Sequence, residues 1–384
     1  MKKKCKVITG QLVLLWLFCW PIAVLADWQT TLESQFDIVE TFDQLQNWSV
    51  VSTGYNTDPN DMPKKLDGTN SIWQLAQADF VKAPGAEEAI SDHGVDYTWQ
   101  PSFSETPKSF CLQHNILYET ADDASQGWGA QRLGTFFGDG ITGKSGYEKI
   151  HVFFMLKFRP GYFALRNGTP TGYAYLGYLK FFEMMSGYTG IQKWGTDADR
   201  LTAAQTDAVL VSYGTNATVF NFQSGGDTYG HDKILPKEIT LTAVNVDSKW
   251  KYEASIVRSY VNESIATLYE NNSWMGIEAV FDRGTVNGND GTIDYYLYDS
   301  SGNEVAHYSA IGESRMVNFD HYYNRVVLGG NRSLHTGDDA VIPDDTRAYI
   351  DDFIIDDKRI GPKYFDLLAK PSSILPPLKL EISN

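Results

Sequence analysis

The run KIHVFFMLKFR, residues 149–159, alternates two kinds of side chain. Ile150, Val152, Phe154, Leu156 and Phe158 hold the even positions, while His151, Phe153, Met155, Lys157 and Arg159 hold odd ones. On a strand, residues two apart project to the same side. One face is therefore apolar, and the other gathers an imidazole, an ammonium and a guanidinium around two hydrophobic side chains. Sugars with carboxylates match such a surface, through stacking on rings and charge-assisted bonds from Arg. The plainer account is a solvated outer face, because scattered exposed apolar residues are normal and a lone His is more often a hydrogen-bonded surface residue than a catalyst.

Two further runs carry polar groups at the same period. In TIDYYLYD, Asp294, Tyr296 and Tyr298 alternate with Ile293, Tyr295 and Leu297; in ATVFNFQ, Asn221 and Gln223 alternate with Phe220 and Phe222. Arg132, Lys180, His231, His321 and Arg325 complete the pool of groups able to bind an anion or move a proton. For the two phenols the structural alternative is an aromatic sheet face packed under a loop, given how readily Tyr populates strands.

These residues need strands to hold them, and the chain supplies strands almost exclusively. Period-two alternation dominates, helix-period patterns are scarce, and Gly- and Asn-rich turns separate the runs. Expected strands are VETFDQLQNWSV, KIHVFFMLKF, GYAYLGYLKFFEMM, DAVLVSYG, ATVFNFQ, WMGIEAVF, TIDYYLYDSSGNEVAHYS, NRVVLGG and AYIDDFIID. The fold class is all-β, an antiparallel sandwich. A single domain over residues 27–365 is expected, with an irregular, Pro-punctuated insertion at about 55–110. Loop regions of that length are often functional. Residues 366–384 read as an extended Pro-rich tail.

The first 26 residues hold four lysines, an apolar run from Leu12 to Phe18, and Val24 and Ala26 before a cleavage point ahead of Asp27. That is the pattern of an export signal, and the apolar run is shorter than the roughly 18 residues of a membrane span. A secreted or periplasmic protein without membrane insertion is expected. Cleavage removes Cys5 and Cys19, leaving Cys111 with no intrachain disulfide partner and, by the habit of free cysteines, buried. It also removes four of the 32 basic residues and none of the 48 acidic ones, leaving a formal charge of −20. Such acidity counts against nucleic acid as a partner.

Three stretches together resemble a known group. WMGIEAVFDRGTVNGNDGTIDYYLYDSSGNEV is similar to the hairpin of concanavalin A-like jelly rolls. RVVLGGN with AYIDDFIIDDKRIGP resembles their closing strands, and KIHVFFMLKFRPGY with GYLKFFEMMSG resembles central strands of the polysaccharide-lyase branch. The resemblance covers residues 125–365. The chain has no Gln-x-His pair, no Tyr-x-Lys-x-Gly-x-Tyr run and no Glu-x-Asp-x-x-Glu pattern of the glycosidases that share the fold.

The resemblance implies β-elimination from a uronate polysaccharide. Elimination needs a group that neutralises the carboxylate, a base for the C5 proton and an acid for the leaving oxygen. Arg159 and Gln223 are expected as neutralisers, His151 as base and Tyr296 or Tyr298 as acid, with Lys157, Arg132, Lys180, Asn221 and Arg325 binding substrate. The strand faces must converge for this to hold. A non-catalytic, lectin-like glycan-binding module is the alternative, and a structural envelope domain a third. The chemistry requires no cofactor, and a monomer is expected. The pairs Asp351–Asp352 and Asp356–Asp357 invite a structural calcium ion. Adjacent strand residues face opposite sides, so one of a pair, Asp352, is expected to join Asp43 or Glu40.

Overall fold

The computed structural model describes residues 28–49, 54–79, 89–92, 94–113, 128–138, 146–158, 177–186, 204–213, 217–225, 273–285, 292–311, 322–333 and 347–369. Its strands, in chain order, are β1 (Ile38–Glu40), β2 (Gly54–Asn56), β3 (Leu75–Asp79), β4 (Ile90–Ser91), β5 (Ser109–Gln113), β6 (Trp128–Phe136), β7 (Lys149–Phe158) and β8 (Gly177–Ser186). There follow β9 (Ala204–Tyr213), β10 (Ala217–Gly225), β11 (Met275–Asp282), β12 (Thr292–Tyr298), β13 (Glu304–Ile311), β14 (Tyr323–Ser333) and β15 (Arg347–Asp356). They form two antiparallel sheets. The first runs β13-β12-β11-β7-β15-β5-β4 with β1 paired to β15, and the second runs β10-β9-β8-β14-β6-β3-β2. The fold is an all-β sandwich, as the alternation requires.

The core lies between the sheets. Ile150, Val152, Phe154, Leu156 and Phe158 of β7 face it, with Ile277, Ala279 and Phe281 of β11 beside them. From the second sheet come Leu133, Phe182, Met184, Val326 and Leu328. Phe154 and Phe281 both pack on Phe182, at ring centroid distances of 5.8 and 6.1 Å. Sequence periodicity alone sets this side of both sheets.

A third layer covers the outer face of the first sheet. Helices α1 (Trp28–Glu33) and α2 (Gly361–Ala369) lie at the two ends of the described chain. Their Trp28, Leu32 and Tyr364 join Phe153, Met155, Trp274, Tyr298 and Tyr349 in a second apolar cluster. Pro362 falls in the first turn of α2, where its missing N–H costs nothing. Gly361 is required there: a Cβ would sit 2.4 Å from Cζ of Tyr298.

Several expectations change. VETFDQLQNWSV is a strand only over Ile38–Glu40. The segment expected as an irregular insertion supplies β2 to β5, which extend both sheets. The expected tail boundary at residue 366 cuts through α2, whose Tyr364 and Phe365 pack on Phe153 at 4.6 and 6.0 Å. Strand β6 is not expected, because Gly129, Gln131 and Thr135 stand on the side of Leu133 where WGAQRLGTF would need apolar residues. The segment expected as an export signal lies outside the described residues, and no helix among those described is long and apolar enough to cross a membrane.

Candidate functional site

The chemically suggestive face of β7 is closed. His151 and Lys157 are each only 6% exposed, between Phe153 and Met155 at 0%. His151 Nδ1 meets Glu278 Oε1 at 2.8 Å, and Glu278, on neighbouring β11, is fully buried. The same carboxylate accepts hydrogen bonds from Arg359 Nε at 2.9 Å, from Tyr298 OH at 3.1 Å, and from the amides of Ile360 and Gly361 at 2.9 and 3.0 Å. Those two amides open α2, so a carboxylate distant in sequence does the work of a cap residue. Burial pushes the Glu278 carboxyl up, but the bonds from His151 and Ile360 and the Arg359 charge outweigh it and hold the group below the usual carboxylate range.

His151 and Tyr298 therefore share one partner, a saturated carboxylate beneath a helix. Lys157 Nζ donates to the carbonyl of Asp96 and lies 5.8 Å from the Trp274 ring centroid. Tyr296 is partly exposed, between the guanidinium of Arg359 at 3.2 Å and the stacked His307 ring at 4.0 Å. The open cationic face expected for residues 151–159 is thus corrected to a packed layer, because the two helices cover it. Arg159, His231 and His321 lie outside the described residues.

Acidic residues close the other end of the same layer. Asp352 Oδ2 accepts from Trp28 Nε1 at 2.9 Å and from Tyr364 OH, tying both helices to β15. Asp351 Oδ2 accepts from the Trp99 amide at 2.8 Å. Asp352 has φ 47°, and the ladder to β7 slips between Asp351 and Ile354. That bulge overturns the expectation that neighbouring aspartates face opposite sides, since both now bond to the aromatic layer outside the sheet. Burial and then mutual repulsion with Asp352 and Asp43 push the Asp351 carboxyl up. The expected calcium site does not assemble. Asp43 Oδ1 takes the Lys108 amide at 2.8 Å, Asp352 is taken by the helices, and no three acidic, His or Cys groups among the described residues converge as a metal would need.

The remaining expected binding residues fall on the other outer face. In the second sheet Leu133, Val326 and Leu328 point into the core, so Arg132, Gly134, Arg325 and Val327 occupy the opposite side. A Cβ on Gly134 would touch Val327 and Leu75 at 3.2 and 3.3 Å, which fixes those neighbours on the same side. Arg132 Nη1 donates to Gln77 Oε1. Arg132 and Arg325 are 3% and 1% exposed.

Register extends this face across six strands. Leu75 pairs with Gly134, Gly134 with Val327, Val327 with Glu183, Glu183 with Asp207 and Asp207 with Gln223. Lys180 pairs with Val209 and Val209 with Asn221, and an irregularity after Lys180 puts it on the face of Glu183 although three residues separate them. By register, the backbone positions of Lys180, Asn221 and Gln223 fall on the same side of the second sheet as Arg132 and Arg325. His151, Lys157, Tyr296 and Tyr298 share the far face of the first. Gln223 and His151, expected to converge on one sugar, stand on opposite sides of the sandwich. Tyr178, two residues before Lys180 on β8 and paired in register with Val211, is absent from the expected set, although the Tyr-x-Lys spacing is visible.

No family model and no curated protein matches the chain. Among solved structures, it is similar to the PL-14 alginate lyase from Aplysia kurodai, at 14% identity over 70% of this chain and 86% of that one, with TM-score 0.39. It is also similar to the endo-beta-1,4-glucuronan lyase from the fungus Trichoderma reesei, at 9% identity over 80% and 95%, TM-score 0.35. A third likeness is to the botulinum neurotoxin serotype D/C binding domain, at 9% over 87% and 54%, TM-score 0.31. Such distant likenesses carry nothing about activity, and the architecture stands on the two sheets themselves.

Proposed function

We propose that this chain binds a uronate-containing polysaccharide on the outer face of its second sheet and cleaves it by β-elimination. The observation that carries the reading is the placement of Arg132 and Arg325 together on that face, in a sandwich whose other outer face is closed by helices. Guanidinium groups are forks matched to carboxylates.

In this reading an arginine engages the uronate carboxylate and stabilises negative charge as C5 loses its proton. Lys180, or the phenolate of Tyr178, takes that proton. The C5–H electron pair forms the C4=C5 double bond, the C4–O bond breaks, and the leaving oxygen takes a proton from Tyr178 or water. Gln223 and Asn221 would orient hydroxyls along the chain. The expected leader would deliver the protein to where such polymers occur.

The test is to incubate the purified protein with alginate, glucuronan, pectate and glycosaminoglycans and follow the ultraviolet absorbance of the new double bond. A rise that Lys180→Ala or Tyr178→Phe abolishes supports elimination. Binding without a rise moves the reading to a lectin-like module, and neither binding nor a rise on any polymer overturns it.

A further inference from the structure

The segment between β2 and β3 borders an open pocket of about 380 Å³, remote in character from the arginine face. Met62, Pro63 and the Trp73 ring supply apolar wall, and Asn70, Ser71 and Gln74 supply amides and a hydroxyl. No acidic, basic or imidazole side chain lines it.

The walls are held in place. Trp48 Nε1 donates to the Asp61 carbonyl at 2.8 Å, Ser71 Oγ to the Pro63 carbonyl at 2.6 Å, and the Gln74 amide to the Gly134 carbonyl at 2.9 Å. Trp73 stacks on Phe42 at 5.8 Å in the main core. Asn70 Oδ1 accepts from Lys64 Nζ at 2.7 Å, which leaves its Nδ2–H pair as what it offers a ligand. Trp73 is 2% exposed, and its Nε1–H has no acceptor among the described residues. A buried donor in that state costs about 1–3 kcal/mol.

From this geometry we infer a second binding site, for one neutral sugar unit. The volume falls within the roughly 300–1,000 Å³ typical of small-ligand pockets. A pyranose ring has an apolar C–H face for Met62, Pro63 and Trp73 and hydroxyls for Asn70, Ser71 and Gln74. The ammonium of Lys64 beside the lining is spent on Asn70 Oδ1 and the Pro59 carbonyl, and the chain's net charge of −16 opposes an anionic ligand. With no titratable group in the lining, the pocket binds and does no proton-transfer chemistry. It holds a neutral unit or branch, while the arginine face of the proposed function addresses uronates, so either site can fail without the other.

The experiment titrates the full chain with neutral glucose-, galactose- and mannose-type mono- and disaccharides, followed by ¹⁹F NMR of protein labelled with fluorotryptophan. The Trp73 resonance is assigned by Trp73→Phe. The expected result is saturable movement of that resonance with one sugar type, independent of pH, and weakened about tenfold or more in Asn70→Ala/Gln74→Ala, the worth of an ordinary hydrogen bond or two. Uronate binding should be unchanged in the same variant. No saturable movement with any sugar at tens of millimolar overturns the inference, as does movement confined to other tryptophans. Because the wild-type titration reports on Trp73 itself, the test stands even if the double variant fails to fold.

Discussion

The two outer faces of the sandwich carry similar side chains and opposite fates. On the first sheet, His151, Lys157, Glu278 and Tyr298 sit under α1 and α2, with Glu278 holding five donors. On the second, Arg132 and Arg325 share a face with register positions of Lys180, Asn221 and Gln223. Both sets are buried, Arg132 and Arg325 at 3% and 1% exposed, and the first lies beneath α1 and α2. A charged group saturated by buried partners is part of the scaffold, whereas cations gathered on the sandwich's other outer face are what an anionic chain would require.

Removing the hub of the closed face should break it most severely. Glu278→Ala strands His151, Arg359, Tyr298 and two helix amides, and a loss of about 3–5 kcal/mol in denaturant-derived stability is expected, as for a buried ion pair cut on one side. Polymer binding per folded molecule should be unchanged. Asp352→Ala severs the bonds to Trp28 and Tyr364 and should cost about 2 kcal/mol, with hydrogen exchange rising first in α1 and α2.

Proton linkage separates two buried carboxyls of the first sheet, Glu40 on the core side of β1 and Glu278 beneath α2. Burial raises the Glu40 carboxyl to about 7, against 4.5 ordinarily. A raised acid binds its proton more tightly in the native state, so its favourable contribution is complete below pH 4.5 and lost as pH rises through 7. Glu278 is depressed, so its contribution is present above 4.5 and lost on acidification below it. Stability should therefore rise from pH 8 towards 5 and fall below 4.5. Glu40→Gln should flatten the upper limb, by on the order of 1–2 kcal/mol at pH 8. Smallest is Tyr296→Phe, which keeps the ring between Arg359 and His307 and should change stability by less than about 0.5 kcal/mol. Turnover should not change, where a catalytic phenol would lose it.

Much of this fold is legible in the sequence, for a physical reason. The even positions of β7 face the core because a strand buries one side, and the hairpin β11–β12 follows from alternation around a Gly/Asn turn. Strand β6 escapes that logic because the positions on the side of Leu133 are Gly129, Gln131 and Thr135, where apolar residues would announce it. The site is harder still. Alternation assigns His151 and Lys157 to one face, yet the cover on that face comes from residues such as Trp28 and Tyr364, which close on Asp352 from opposite ends of the chain. No local pattern encodes that closure. Nor does one reveal that Gln223 and His151 lie in different sheets, which depends on strand order.

The most direct measurement compares His151→Gln with Arg132→Gln on whichever uronate polymer the wild-type chain cleaves, scored as double-bond absorbance per folded molecule. The account predicts that His151→Gln loses stability but keeps its rate, while Arg132→Gln loses about 100-fold or more, the scale of removing one charge-stabilising group. A rate abolished in His151→Gln and retained in Arg132→Gln would contradict it and return the chemistry to the face beneath the helices.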